Sequence, residues 1–242
     1  MLGYEGEAAR RLRELPGTSG AWTIGVDPTI VREFLPFARR RPSRHFSVVR
    51  PRWNSDIRWI GPRSPEAYRL FESAFERMGI PRYAQPMLDL DHRPRMYAGF
   101  LVTRRRCRHP DFHVDWRDTS GQAFTLMTPA SDNIADFGLL YRDQSGEVRD
   151  YDYRPGEAVF FTDDFVHSTK PGSSDEPVVL LCFTFGTDRM EYWDRIKATS
   201  GSQSALMRRP DGVFERISRL RSARIASQTR YLKALSTSSA QS

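Results

Sequence analysis

The chain has almost no cysteine and almost no lysine. Two cysteines, Cys107 and Cys182, stand among 242 residues, too few for a disulfide framework. They are expected as buried thiols in a reducing compartment. Three lysines, Lys170, Lys197 and Lys233, stand against 34 arginines. No apolar run approaches the roughly 18 residues that a membrane-spanning helix requires, so no membrane association is expected. The opening MLGYEGEAARRLREL lacks the apolar stretch of a secretory leader, and a cytoplasmic location is the expectation. Histidine is scarce as well: His45, His92, His109, His113 and His167 are the full set.

The formal net charge is +7, which raises the question of an acidic partner. The charge is unevenly spread. Residues 187–242 hold eleven basic and five acidic side chains, and the other 186 residues are within one charge of neutral. The excess falls in a stretch where Val213, Ile217, Leu220, Ile225, Leu232 and Leu235 recur at loosely helical spacing among Arg216, Arg219, Arg221, Arg224 and Arg230. That pattern predicts a basic helical region over 191–242. No zinc-finger, KH or RRM-type motif accompanies it, so nucleic acid is not the expected partner.

Residues 1–90 read as a mixed α/β region packing on the core. Helices are predicted over Glu5–Leu15, Pro28–Arg40 and Ser64–Met78, and strands over His45–Arg50 and Ile57–Ile60. Ser64-Pro65-Glu66 is a strong helix start. Residues 91–190 differ. Short apolar runs (RMYAGFLVTRRRC, FHVDW, AFTLM, DFGLLYRD, EVRDYDY, EAVFF, FVHS, PVVLLCFTF) alternate with turn signals such as Gln144-Ser145-Gly146 and Pro155-Gly156. Eight closely spaced strands without intervening helices predict an all-β sandwich or barrel.

Within that zone lies Phe112-His113-Val114-Asp115-Trp116. On a strand, residues i and i+2 share a face, so His113 and Asp115 present an imidazole and a carboxylate together. His167 follows 52 residues after Asp115, beyond a Pro-Gly turn and the apolar strand Ala158–Phe161. Two histidines and one carboxylate on one face of a metal form the facial triad of non-haem Fe(II) sites, which leaves coordination positions open.

With this order of motifs the chain resembles the 2-oxoglutarate/Fe(II)-dependent oxygenase superfamily over about residues 91–190, and most of all its compact members related to phytanoyl-CoA and prolyl hydroxylases. The resemblance implies a mainly β protein with flanking helices, built on a double-stranded β-helix, or jelly roll. It implies Fe(II) held by His113, Asp115 and His167, with 2-oxoglutarate as co-substrate and dioxygen as oxidant. It implies an oxidoreductase that hydroxylates or otherwise oxidises a small-molecule substrate.

The sequence departs from the family at one point. The family usually places an arginine about ten residues after the distal histidine to pair with the co-substrate carboxylate, as guanidinium geometry favours. Here that stretch is Asp175-Glu176-Pro177-Val178-Val179. Lys170, Arg142 and Arg104 are the candidate substitutes, with Thr125 as a further polar contributor. Two other readings stay open: a cupin-like metalloenzyme that does not use 2-oxoglutarate, and a non-enzymatic β-sandwich with a basic nucleic-acid-binding helix. The sequence carries no sign of the oligomeric state.

Overall fold

A computed structural model describes residues 12–50 and 56–217. Along the chain come β1 (Arg13–Glu14), β2 (Ala21–Gly25), α1 (Pro28–Arg32), β3 (Phe46–Val49), β4 (Arg58–Pro62), α2 (Pro65–Arg77) and α3 (Ile80–Ala84). The strand-rich part follows: β5 (Arg95–Cys107), β6 (Ala123–Pro129), β7 (Leu139–Arg142), β8 (Val148–Tyr151), β9 (Glu157–Phe161), β10 (His167–Thr169) and β11 (Gly172–Gly186). Helix α4 (Trp193–Gln203) and the hairpin β12 (Leu206–Arg208)–β13 (Phe214–Arg216) come last.

Eight strands form an antiparallel major sheet in the order β1-β2-β9-β6-β11-β5-β4-β3. The minor sheet is β10-β7-β8, lengthened by a bridge in which His113 and His167 exchange backbone hydrogen bonds of 2.9 Å. Val159, Phe161 and Val178 of the major sheet share one buried cluster with Leu139 and Tyr141 of the minor sheet. The two sheets therefore close on each other as a jelly roll. Strands β2, β3 and β4 come from the N-terminal region and extend the major sheet at both edges.

Each face of the major sheet has its own cover. Directly paired residues on neighbouring strands point the same way. Leu181, Phe183 and Phe185 of β11 pair with Leu101, Gly99 and Met96 of β5, and these side chains pack with the helices. Val178, Leu180, Cys182 and Thr184 pair with Arg104, Val102, Phe100 and Ala98 and face the lumen between the sheets. Along α2, Ala67, Tyr68, Phe71, Ala74 and Phe75 form the buried stripe, the spacing that one helix face requires. Ser64 caps the helix by accepting from the Ala67 amide at 3.3 Å. Gly79, at φ +68°, ends it, a conformation that glycine adopts without a Cβ penalty. The helix lies so near β5 that a Cβ on Gly99 would stand 2.5 Å from Phe71 Cβ.

Several sequence expectations change on folding. Pro28–Arg40 is not one helix: α1 ends at Arg32 and a 3₁₀ turn at Leu35–Phe37 follows, where Pro36 removes an amide donor. FHVDW is not a strand and contributes only the bridge at His113. Arg13–Glu14 are extended, and the rest of the Glu5–Leu15 helix falls mostly outside the described residues. Val213–Ile217 holds strand β13, not helix, while 218–242, with Arg219, Arg221, Arg224 and Arg230, lies outside the described residues.

Candidate metal centre

Three side chains converge in the lumen. A ligand atom from each of His113, Asp115 and His167 lies within 4.8 Å of the others, and His113 Nε2 is 3.7 Å from Asp115 Oδ1. They come together without a strand to carry the His-X-Asp. The bridge to β10 fixes His113 beside His167, with ring centroids 4.5 Å apart.

The surroundings aim each group. His113 Nδ1 is 2.8 Å from the carbonyl of Asp111, and His167 Nδ1 is 3.0 Å from that of Phe165. A carbonyl only accepts, so each Nδ1 carries the proton and each Nε2 offers a lone pair to the centre. Thr125 Oγ1 donates to Asp115 Oδ2 at 2.7 Å and accepts from Trp116 Nε1 at 3.0 Å. That leaves Asp115 Oδ1 toward the imidazoles. Thr199, on α4, donates to the Asp115 carbonyl.

Burial sets the charge state. His167 is 4% exposed, and its imidazole is pushed below the usual histidine range, first by burial and then by the nearby His113 ring. Asp115 is also enclosed, its side chain 9% exposed, whereas that of His113 is 32% exposed. One side of the centre is therefore open. Two imidazoles that present Nε2 and one carboxylate suit a divalent metal such as Fe(II) and leave room for further ligands.

The remaining predicted residues fall in different places. Thr125 is at the centre, as the partner of Asp115. Arg104 pairs with Val178 across the sheet, so it projects from the lumen face. It is 8% exposed, and burial lowers its pKa, opposed by Cys107, Asp56 and Tyr153. Lys170 and Arg142 belong to the outer face of the minor sheet. Leu139, Tyr141 and His167 face inward, and the alternate positions Arg142 and Asp150 are exposed on the other face. Lys170 Nζ is tied to Asp150 at 2.6 Å. The Arg142 guanidinium lies 4.8 Å from the Phe112 ring centroid and donates to the Gly146 carbonyl at 2.9 Å.

Two residues carried no sequence signal of their role. Tyr153 lies in irregular chain between β8 and β9. Among the described residues its hydroxyl reaches Met127 Sδ alone, at 3.9 Å, and burial raises its pKa, with Cys182, Asp115 and Arg104 among the groups acting on it. The second is Trp116, fully buried and donating to Thr125. Trp59, Val102, Met127 and Leu180, packed against the lumen clusters, stay partly exposed.

No protein-family model and no curated protein sequence matches the chain. Solved structures do. The non-heme alpha ketoglutarate dependent epimerase SnoN from nogalamycin biosynthesis superposes with a TM-score of 0.53 at 14% identity, over 76% of this chain and 84% of SnoN. This chain has the fold of 2-oxoglutarate oxygenases. HygX from Streptomyces hygroscopicus, solved with nickel and 2-oxoglutarate bound, gives 0.52 at 16% identity, over 73% of this chain and 86% of HygX. A 2OG-Fe(II) oxygenase family oxidoreductase from Burkholderia pseudomallei gives 0.51 at 11% identity, over 77% and 91%. The likeness is one of fold, and the mainly β jelly roll expected from the sequence is the architecture observed.

Proposed function

We propose that the protein is a non-haem Fe(II), 2-oxoglutarate-dependent oxygenase that oxidises a small molecule, most simply by hydroxylation. The convergence of His113, Asp115 and His167 carries the reading, because both imidazoles are locked with Nε2 inward and Thr125 holds the carboxylate. Bound Fe(II) would supply dioxygen activation coupled to oxidative decarboxylation of 2-oxoglutarate to succinate and CO2. The chain's own task is to bind, orient and exclude water. Arg104 is the proposed anchor of the distal carboxylate, with the Tyr153 hydroxyl as its partner. It stands across the β5–β11 ladder from Val178, in the stretch of β11 where the family's usual arginine is missing. Lys170 and Arg142 are set aside because they face outward and are already engaged. Trp59, Val102, Met127 and Leu180 would shield the reacting atoms from solvent and contact an apolar part of the substrate.

A small-molecule substrate is supported by SnoN and HygX, which have been solved with nogalamycin RO and hygromycin B, respectively. No helix among the described residues is long and apolar enough to cross a membrane. A cytoplasmic setting is supported by two buried free thiols, Cys107 and Cys182.

The test is anaerobic reconstitution with Fe(II), then titration with 2-oxoglutarate. A visible charge-transfer band of the Fe(II) chelate is expected, as is succinate formation on admitting oxygen. Both should vanish in His113→Ala. Iron binding without any response to 2-oxoglutarate would favour a cupin-like enzyme. Failure to bind iron at all would overturn the reading.

A further inference from the structure

A second cavity lies on the opposite side of the major sheet. It has a volume of about 600 Å³ and is lined by Arg39, Arg41, Pro42, Val48, Arg50 and Arg58. Its place follows from the strand register. Val48 pairs with Ile60, and Ile60 with Leu101. Arg58 pairs with Thr103, which pairs with Val179. Leu101 and Val179 pack with the helices, so the cavity opens on that face, where the α1–β3 connection meets the β3–β4 edge. The metal centre is on the other face.

Four guanidinium groups line this cavity, and among the described residues no carboxylate does. Some arginines elsewhere in the fold pair closely with acids, as Arg77 does with Glu33, Arg149 with Asp143 and Arg208 with Glu72. Here the compensation is thin. Arg39 has a contact of 3.4 Å with Glu176, between two well-exposed side chains, which is worth little in water. Arg41 and Arg50 have no ion pair with a carboxylate among the described residues. Arg58 donates from Nη2 to the Arg40 carbonyl at 3.3 Å, and its buried Nε has no hydrogen-bond partner. Burial, and then the Arg50 charge, push the Arg58 pKa below its ordinary value. A half-buried guanidinium facing another cation is an unfavourable arrangement unless an anion completes it.

We propose that this cavity is a binding site for a di- or triphosphate group carried by a small organic molecule. Guanidinium forks pair bidentately with phosphate oxygens, and several converging arginines match a group of three or four negative charges. A volume of this size is in the range of small-molecule sites, about 300–1,000 Å³. Pro42 and Val48 offer an apolar wall to the organic part. The site is independent of the metal centre, so neither reading depends on the other.

The test is calorimetric titration of the full-length, metal-free protein with inorganic tripolyphosphate, at fixed ionic strength and without divalent cations. One ion per chain is expected to bind. Arg50→Gln/Arg58→Gln should weaken binding by about tenfold or more, since each lost charge-assisted contact contributes a substantial part of the affinity. Arg41→Gln/Arg50→Gln, which leaves half-buried Arg58 in place, should weaken it in the same direction. Arg219→Gln/Arg221→Gln/Arg224→Gln should leave it unchanged. The proposal is overturned if tripolyphosphate does not saturate, if orthophosphate binds equally well, or if the loss follows the 219–224 substitutions instead of the cavity.

Discussion

Thr125 Oγ1 donates a 2.7 Å hydrogen bond to Asp115 Oδ2. Trp116 Nε1 donates in turn to the same hydroxyl at 3.0 Å. The threonine thus spends its proton on the carboxylate and its lone pair on the indole, and the ligand's orientation is set by a residue that need not touch metal. Thr125→Val keeps the shape and removes the hydroxyl. It frees Asp115 to rotate and strands a buried indole N–H. Loss of such a supporting partner typically weakens metal binding by about 10–100-fold. Competition for Fe(II) or Co(II) with a calibrated chelator measures this, and an unchanged affinity would show the relay to be unimportant.

Arg104, Lys170 and Arg142 make different predictions although all three are cations near the centre in sequence. Arg104→Gln should raise the 2-oxoglutarate concentration needed for half-maximal chelate formation by about tenfold or more, the scale of a lost charge-assisted pair. Metal affinity should be unchanged. Lys170→Gln should leave co-substrate binding as it is, because its ammonium is paired with Asp150 outside the lumen. Arg142→Gln should do the same. The charge-transfer band reads all three, and equal effects at Lys170 and Arg104 would refute the assignment.

The metal triad was legible because a His-X-Asp and a later histidine stand in a turn-punctuated β zone of a chain with few histidines; the strand geometry expected of FHVDW is absent, and the bridge between His113 and His167 brings the groups together instead. Ser64 was legible as a local helix start, and α2 follows it. Tyr153 was not, because its role comes from where β8 and β9 place irregular chain and not from its neighbours in sequence. Arg104 stood in a run of three arginines, and only the pairing with Val178 separates it from Arg105 and Arg106, which are exposed. Likewise Arg39, Arg41, Arg50 and Arg58 form no motif in the sequence, and only the pairing of β3 with β4 brings them to one cavity.

Gly99 tests the packing that supports the sheet beneath the centre. A Cβ there would lie 2.5 Å from Phe71 Cβ and 2.7 Å from two of its ring carbons. Phe71 is fully buried in the helix-side cluster and has nowhere to move without shifting α2. Gly99→Ala should cost about 1–3 kcal/mol, the usual price of overpacking a filled core. Urea unfolding measures it. A variant as stable as the parent would mean that α2 can slide away freely.

His167 makes the stability of the metal-free protein depend on pH. In the unfolded chain its pKa is about 6.5. In the folded protein, burial and then the His113 ring depress it. The unfolded state therefore binds the proton more readily once pH drops through about 6.5. Stability is complete above that value, falls as pH decreases toward the folded pKa, and levels off below it, with a slope of at most about 1.4 kcal/mol per pH unit from this one group. A metal on Nε2 excludes the same proton, so the loaded protein should hold its stability further into the acid range. Thermal unfolding of the metal-free protein at pH 7 and pH 5 should show a drop in Tm that is smaller in His167→Gln. An equal drop in both would assign the acid sensitivity to other groups and leave His167 without the buried, neutral state that a metal ligand requires.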